Sequence, residues 1–373
     1  MRILADENIA LAQAYFAPYG ELSLIPGRRI DNAALREAEV LLVRSVTRVD
    51  ASLLEGSPCR FVASATSGID HIDTAYLAAR GIGFGWARGC NAEGVEDYVF
   101  SALAALQIER GVNWLAGGIG IVGCGEIGAR LARRCLALNM KVKIYDPLLP
   151  ATHPLAAHFV SFEEVVTQRV LSVHVPLSTE GAHPTRRMFD ARALAMLPTE
   201  GVFINAARGE VVDEAALLAR CQRRPGFHSV LDAWQDEPQI NVDLLQTARY
   251  GTPHIAGYSH GGKLRGTQMI HAQFCDYFGL DPMLASAPEE GAKVILHYPR
   301  GATLADLILQ AYDLRADDAA LRRTLQSADP AADFDALRRH YPLRREFSEC
   351  RVQGCADPLL REAVAELGMG LLD

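Results

Sequence analysis

Short apolar runs alternate with amphipathic stretches through the first 90 residues of the chain. MRILAD at the start, VLLVRS (40–45) and RFVASAT (60–66) are predicted strands. Segments between them, such as NAALREAE, have the spacing of apolar and polar positions that is typical of helices. An alternation of this kind predicts βα units and a parallel sheet.

A second series of the same type follows a long helical segment. NAEGVEDYVFSALAALQIERG (91–111) is predicted to be one helix, with Asn91 as its N-cap and Gly111 just beyond its end. From Gly118 to about His254 the chain carries five further apolar runs, which are predicted strands: GIGIVG, KVKIYD, VLSVHV, GVFINAA and HSVLDA. This series predicts a second doubly wound sheet.

The remainder of the chain has a different pattern. A helix is predicted over roughly 264–280, followed by a junction rich in proline and alanine near 281–292. The tail carries a strand-like KVILHYP, two arginine-rich helical stretches and a final strand-like REFSECRVQ. The predicted fold class is therefore α/β, with two doubly wound parallel-sheet domains and a small α+β C-terminal module. The predicted parts are a split domain (1–90 and 258–285), an inserted domain (91–257) and the C-terminal module (286–373).

Composition excludes several classes of protein. The net charge of −8 over 373 residues argues against a nucleic-acid binder, whose surface would be basic. We expect neither a membrane helix nor a signal peptide, because apolar runs are short and Asp6 and Glu7 interrupt the first one. The eight cysteines form no CxxC pair, so we expect no metal site, no disulfide framework and a cytoplasmic protein. The pairs Arg322-Arg323, Arg338-Arg339 and Arg344-Arg345 are expected on solvated helix faces or in interface ion pairs.

A glycine-rich turn in the second series indicates a dinucleotide site. Gly123-x-Gly125-x-x-Gly128 follows a predicted strand and opens a predicted helix. The first glycine permits the tight turn, the second permits a pyrophosphate to approach the backbone, and the third permits close packing of the helix. The next apolar run ends at Asp146, whose carboxylate can accept hydrogen bonds from ribose hydroxyls and would repel a 2′-phosphate. The motif therefore predicts NAD rather than NADP.

Three polar residues further along suit the oxidation of a 2-hydroxy acid. Arg208, Glu237 and His254 each follow an apolar run, and ligands bind at the carboxyl ends of the strands in doubly wound sheets. Histidine can take the hydroxyl proton, and a carboxylate on its other nitrogen fixes the tautomer. Arginine can hold the substrate carboxylate through two hydrogen bonds. Taken alone, each of these residues has a structural interpretation as well.

These motifs together resemble the D-isomer-specific 2-hydroxyacid dehydrogenases. The resemblance rests on the glycine motif with Asp146, the run Asn205-Ala206-Ala207-Arg208-Gly209, the acid before Pro238, and Pro253-His254, and it covers roughly residues 1–285. It implies a split substrate domain, an inserted Rossmann domain, and a catalytic set of Arg208, Glu237 and His254 with His254 as acid/base.

The chain is most similar to a subfamily that acts on a phosphorylated hydroxy acid and forms homodimers through a C-terminal extension. LVRS (42–45), ATSGIDH (65–71), GCNA (89–92) and HIAGYS (254–259) carry this likeness. The subfamily implies substrate contacts at Ser45, Thr66 and Tyr258. It implies NAD contacts at Gly123, Gly125, Glu126, Ile127, Gly128, Asp146, Val175, Ala206, Ala207, Arg208, Asp232 and Gly257. Val175 departs from the subfamily, which often has threonine there, so a side-chain hydrogen bond to NAD would be lost.

The sequence leaves alternatives open. The substrate is a phosphorylated hydroxy acid of this subfamily or another acid such as 3-phosphoglycerate or glycerate. A non-catalytic NAD(H)-sensing scaffold on the same fold is a further hypothesis, which the presence of the whole catalytic set disfavours. Arg44 either pairs with a phosphate or is a surface cation. Whether NADH leaves after each turnover or is reoxidised in place by an oxo acid also stays open.

Overall fold

The computed structural model describes residues 1–283 and 293–372, and these fall into two compact units. Of the described residues, one unit comprises 1–91 and 259–283, and the other comprises 92–258 and 293–372. The predicted junction between the last two parts, near residue 286, lies outside the described residues. The division into three domains stays a prediction.

The first unit contains a five-stranded parallel sheet with strand order β2-β1-β3-β4-β5. Its strands are β1 (Arg2–Asp6), β2 (Glu21–Ile25), β3 (Val40–Val43), β4 (Phe61–Ser64) and β5 (Gly83–Trp86), and its first helices are α1 (Ala12–Phe16), α2 (Ala51–Leu54) and α3 (Thr74–Ala79). Successive strand residues face opposite sides, so Leu41 and Leu42 pack into separate apolar clusters on the two faces. The sheet is therefore covered on both sides.

One predicted helix of this unit is absent. NAALREAE forms only a single 3₁₀ turn, Ala33–Leu35. Leu35 is fully buried whereas most of its neighbours are exposed, so the segment lacks an apolar face that would stabilise a longer helix.

The second unit is built around a six-stranded parallel sheet with strand order β11-β10-β9-β8-β6-β7. Its strands are β6 (Ile119–Val122), β7 (Val142–Tyr145), β8 (Val170–Val173), β9 (Val202–Asn205), β10 (His228–Leu231) and β11 (Tyr250–Gly251). The associated helices are α4 (Ala92–Arg110), α5 (Trp114–Gly117), α6 (Glu126–Ala137), α7 (Phe162–Val165), α8 (Ala191–Met196), α9 (Glu214–Arg223) and α10 (Val242–Thr247). All five predicted strands of this series are confirmed, and β11 is an addition that the sequence pattern did not predict.

The long helix α4 starts and ends close to its predicted bounds, but its predicted cap is not formed. Asn91 directly precedes the helix, yet its side-chain oxygen is buried without a hydrogen-bond partner among the described residues. Most of the helix is buried, including Glu96 and Asp97, which lie close to the guanidinium of Arg134.

The chain returns to the first unit with α11 (His260–Phe278), which begins four residues earlier than predicted because Ser259 caps it by accepting a hydrogen bond from the Gly262 amide. Gln273 on this helix pairs with both backbone groups of Trp86 on β5, at 2.9 and 3.0 Å. The exposed edge of the sheet is thereby partly satisfied.

The C-terminal segment belongs to the second unit and forms a three-stranded parallel sheet, β12-β13-β14. Its elements are β12 (Val294–His297), α12 (Leu304–Ala311), α13 (Arg315–Thr324), α14 (Pro330–Arg339), β13 (Cys350–Gln353), α15 (Pro358–Glu366) and β14 (Gly370–Leu372). The sequence predicted two helices here, which are α13 and α14. The helix α12, LADLILQA, was not predicted, although its two polar residues Asp306 and Gln310 lie four positions apart as on one helix face.

Candidate active site

The glycine-rich turn joins β6 to α6, and two of its glycines are required by packing. Gly123 has a φ of +90°, and a Cβ there would lie 2.6 Å from the carbonyl oxygen of His174. A Cβ on Gly128 would lie 1.9 Å from the carbonyl oxygen of Gly123. At Gly125, in contrast, a Cβ would meet no atom within 4 Å. Protein packing therefore does not require the middle glycine, and the space beside it is open to a ligand.

This open space lies at the N-terminus of α6. Gly125 is the N-cap residue and provides no side-chain hydrogen bond to the first turn, and the N-terminus of a helix attracts an anion. Glu126 and Ile127 are the first residues of the helix, and Val175 lies beside the turn, with its Cγ1 2.9 Å from the position of a Cβ on Gly123. The geometry fits the pyrophosphate of a dinucleotide.

Asp146 lies next to this turn, at the end of β7. One of its carboxylate oxygens accepts a hydrogen bond from the Cys124 amide at 2.8 Å and the other accepts one from the Leu148 amide at 3.1 Å. The carboxylate is thus held at the carboxyl edge of the sheet, where each oxygen retains a lone pair for a ribose hydroxyl. These contacts fit an NAD ribose.

His254 and Glu237 form a hydrogen-bonded pair in the second unit. Nδ1 of His254 lies 2.8 Å from Oε2 of Glu237. Burial raises the pKa of the Glu237 carboxyl, but the adjacent His254 and the hydrogen bonds outweigh this effect, so the pKa is lowered below its ordinary value. Glu237 is therefore a carboxylate at neutral pH, and because it can only accept, it holds the proton of the imidazole on Nδ1.

Two loops that follow β10 and β11 hold this pair in position. The amide of Trp234 donates to the second oxygen of Glu237 at 2.9 Å, and the indole of Trp234 donates to the carbonyl of Thr252 at 2.9 Å. His254 itself has a φ of 54°, which is uncommon for a residue other than glycine. The loop backbone is thus fixed in a strained conformation that supports the imidazole.

Asp232 holds the loop that carries His254 through hydrogen bonds on both sides of that residue. Its carboxylate accepts hydrogen bonds from the Thr252 hydroxyl at 2.6 Å and from the amides of Ile255 and Ala256 at 2.8 and 2.9 Å. The residue is buried, and burial raises the pKa of its carboxyl. The structure shows Asp232 as a support of the loop, and its contact with NAD stays a prediction.

Arg208 lies at the end of β9, in a turn that packs against the same region. The side chain of Asn205 donates to the Arg208 carbonyl at 3.0 Å, and Nη1 of Arg208 donates to the Ala207 carbonyl at 2.8 Å. A Cβ on Gly209 would lie 1.9 Å from the carbonyl carbon of Trp234. The two loops are therefore in close contact, and Arg208, Glu237 and His254 come from the carboxyl ends of adjacent strands.

The three predicted substrate residues are divided between the units. Ser45 and Thr66 belong to the first unit, where Ser45 is exposed and the Thr66 hydroxyl lies 2.7 Å from that of Ser64. Tyr258 belongs to the second unit, together with Gly257 and His254. Nη2 of Arg338 donates to the Tyr258 hydroxyl at 3.2 Å.

One arginine that lies against this site, Arg344, was wrongly expected at a solvated face or in an ion pair. Arg344 is only 6% exposed and donates to the carbonyls of Ile255 at 3.4 Å and Gly94 at 3.0 Å, and also to that of Ala256. It thus holds the backbone just beyond His254. Nothing in the sequence separates it from the other arginine pairs, because its partners lie about 90 residues or more away along the chain.

Comparisons with known proteins identify the family. Residues 109–256 match the D-isomer specific 2-hydroxyacid dehydrogenase, NAD binding domain, and residues 297–368 match a domain of unknown function (DUF3410). The chain is 45% identical to the erythronate-4-phosphate dehydrogenase of Stutzerimonas stutzeri, over 100% of both chains. It is 45% identical to that of Azotobacter vinelandii over 99% of each and 43% identical to that of Pseudomonas aeruginosa PAO1 over 100% of each. The chain belongs to the erythronate-4-phosphate dehydrogenase family. It is accordingly an NAD-dependent oxidoreductase.

Solved structures share the fold. An NAD⁺-bound 3-phosphoglycerate dehydrogenase from Entamoeba histolytica superimposes with a TM-score of 0.63 at 22% identity, covering 75% of this chain and 95% of that one. A D-lactate dehydrogenase from Aquifex aeolicus, complexed with NAD and lactic acid, gives 0.61 at 22% identity, covering 75% and 96%. The predicted fold class is confirmed. In the part of the chain that the structure describes, no helix is long and apolar enough to cross a membrane.

Proposed function

We propose that this chain oxidises 4-phospho-D-erythronate to (R)-3-hydroxy-2-oxo-4-phosphooxybutanoate with NAD, as a step of pyridoxine biosynthesis. The observation that carries the proposal is the full-length similarity to erythronate-4-phosphate dehydrogenases, which extends through the C-terminal segment. The solved 3-phosphoglycerate dehydrogenase covers only 75% of the chain at 22% identity, so 3-phosphoglycerate is not favoured as the substrate.

His254 is the acid/base of the proposed reaction. Its Nδ1 proton is held by Glu237, which leaves Nε2 to accept the proton of the C2 hydroxyl. When bound, NAD takes up the hydride that leaves C2. The imidazole becomes positively charged as the proton arrives, and the Glu237 carboxylate at 2.8 Å stabilises that charge.

Arg208 supplies the positive charge that the carboxylate of the substrate requires. Arg208 lies in the turn after β9, and its neighbour Gly209 packs against the loop that leads to Glu237. A guanidinium can bind a carboxylate through two parallel hydrogen bonds. We assign the pyrophosphate of NAD to the α6 N-terminus at Gly125 and the adenosine ribose of NAD to Asp146. Substrate contacts at Ser45 and Thr66 stay predictions from the sequence.

The decisive variant for this mechanism is His254→Ala. It should lose turnover and should keep its affinity for NADH, measured by quenching of protein fluorescence, because His254 is not one of the residues assigned to the cofactor. A matched control is His158→Ala, which removes a histidine remote from the Glu237 loop. Turnover by His254→Ala close to that of the unaltered protein would contradict the assignment of His254 as the acid/base.

We also propose that the protein is a homodimer and that residues 286–373 form its dimerisation module. Several large apolar side chains of this module face solvent, among them Ile295 on the edge strand β12 at 51% exposure and Leu359 at 78%. Exposed apolar surface on an edge strand supports a protein interface. Light scattering should give the mass of a dimer, and Ile295→Asp should shift it towards a monomer whereas Ile108→Asp should not. A monomeric unaltered protein at micromolar concentration would contradict the proposal.

Cytoplasmic location is a further part of the proposal. All eight cysteines are free and buried, and a chain rich in unpaired thiols suits a reducing compartment. Fractionation of cells that express the full chain tests this directly, since recovery from the periplasm would contradict it.

A further inference from the structure

Arg338 contacts the proposed substrate site although it lies 80 residues beyond Tyr258. It is located in the last turn of α14, in the C-terminal segment. Nη2 donates to the Tyr258 hydroxyl at 3.2 Å, and the guanidinium lies over the Tyr258 ring at 5.7 Å and near the Phe334 ring at 6.0 Å. These aromatic contacts orient the guanidinium beside the loop that carries His254.

The guanidinium of Arg338 is mostly buried, and its contacts within the described residues do not use all of its donors. Among the described residues, Nε of Arg338 is buried without a hydrogen-bond partner, and the hydrogen bond that the structure shows for the guanidinium goes to the neutral Tyr258 hydroxyl. A charge in this position is costly unless a counter-charge is supplied. The guanidinium therefore has binding capacity that the described part of the protein does not use.

The nearest carboxylates act on Arg338 only from a distance. Burial lowers the pKa of Arg338, while Tyr258 and the carboxylates of Glu237 and Asp232 raise it by more. Both carboxylates have other partners, since Glu237 accepts from His254 and a backbone amide and Asp232 accepts from one hydroxyl and two amides. Arg338 thus lies within the electrostatic field of the catalytic pair without being bound to it.

The substrate of the proposed reaction carries two anionic ends. Arg208 is assigned to the carboxylate next to C2, so the phosphate at the other end needs a separate cationic donor. A guanidinium forms several hydrogen bonds to phosphate oxygens in a fixed geometry. We infer that Arg338, presented by α14 beside Tyr258, binds the phosphate of the substrate and determines the preference for a phosphorylated hydroxy acid. This inference rests on the proposed function.

The test compares 4-phospho-D-erythronate with D-erythronate in the full-length protein. For Arg338→Gln, kcat/KM with the phosphorylated acid should fall about 10- to 100-fold, mainly through KM, while kcat/KM with D-erythronate should stay within about twofold. Arg338→Lys keeps the positive charge but loses the planar set of guanidinium donors. Its kcat/KM with the phosphorylated acid should lie between the values for the unaltered protein and for Arg338→Gln. Arg339→Gln is the matched control, because Arg339 is the next residue and is exposed.

Two further measurements separate a binding role from a structural one. NADH affinity should be unchanged in Arg338→Gln, which shows that the protein is folded. Calorimetric titration of the NADH-bound protein with each acid gives the phosphate preference without turnover. This measurement replaces the kinetic comparison if D-erythronate is oxidised too slowly to assay. An equal loss for both acids, or an unchanged preference, would overturn the inference while leaving the proposed function intact. Absence of activity of the unaltered protein on 4-phospho-D-erythronate would overturn both.

Discussion

Replacement of Glu237 by glutamine tests the hydrogen-bond arrangement at the catalytic pair. The carboxylate accepts two hydrogen bonds, from the Trp234 amide at 2.9 Å and from Nδ1 of His254 at 2.8 Å. A glutamine side chain of the same shape has only one oxygen. If that oxygen keeps the backbone amide, the NH₂ group faces Nδ1 and forces the proton of His254 onto Nε2. The nitrogen that should accept the substrate proton is then already protonated.

The expected loss follows from the role of the base. General base catalysis contributes about 10²- to 10⁴-fold, so kcat/KM of Glu237→Gln should fall by that factor, or about 3–5 kcal/mol of transition-state stabilisation. NADH affinity should change little, since Glu237 is not assigned to the cofactor. The assay is initial NADH formation from 4-phospho-D-erythronate, with an oxo acid such as 2-oxoglutarate tested separately as an acceptor for recycling.

Two controls limit the interpretation of this loss. Glu237→Asp keeps the charge and should retain more activity than Glu237→Gln, because it can still hold the Nδ1 proton. Glu200→Gln changes an exposed acid and should have no effect. If Glu237→Gln retained kcat/KM within about twofold of the unaltered protein, the argument from the tautomer of His254 would be refuted.

Further predictions concern the cofactor turn and a buried acid. Gly125→Ala should fold normally but bind NADH weakly, because its Cβ meets no protein atom within 4 Å and would occupy the ligand space; Gly128→Ala should lower the melting temperature as well, because its Cβ would lie 1.9 Å from a backbone oxygen. Equal NADH affinity of Gly125→Ala and the unaltered protein would refute the first part. Asp146→Ser should reduce the ratio of NAD to NADP efficiency by at least about tenfold, measured as kcat/KM for each cofactor. An unchanged ratio would remove Asp146 from the cofactor site. Burial raises the pKa of the Glu214 carboxyl from its ordinary value of 4.5 to about 7, so the folded state binds this proton more tightly than the unfolded state does. The free energy of unfolding should therefore fall by about 3 kcal/mol as the pH rises from 4.5 through 7. Glu214→Gln should remove that fall, so denaturant unfolding should show it more stable than the unaltered protein at about pH 8 and nearly equal to it at about pH 4; parallel pH profiles of the two would contradict the pKa assignment.

The central strands were predictable because burial leaves a direct signal in the sequence. VLLV and VFIN are continuous apolar runs, and they form strands buried on both faces of their sheets. The edge strand β2, ELSLI, is largely exposed and carries no such run, so it was missed. The prediction of a helix over NAALREAE was wrong for a related reason, because amphipathic spacing alone does not supply a surface to pack against.

Residues of the candidate site could be predicted only where a polar residue lies near the end of an apolar strand run. Arg208, Glu237 and His254 lie near the ends of apolar runs, and the parallel topology then brings the loops together. Contacts made by the C-terminal segment depend instead on how helices pack, and similar arginine pairs have different environments there: Arg344 is buried against carbonyl groups, while Arg339 is exposed. No periodicity or motif in the sequence distinguishes these two positions.

The most direct test of the account is the substrate preference of the unaltered protein. Purified full-length protein with NAD is given 4-phospho-D-erythronate and 3-phosphoglycerate separately, and both NADH and the oxo acid product are measured. The account predicts turnover of 4-phospho-D-erythronate with a kcat/KM at least about tenfold above that for 3-phosphoglycerate. Turnover of 3-phosphoglycerate alone would contradict the proposed function, although it would still be consistent with His254 as the acid/base of a hydroxy-acid dehydrogenase.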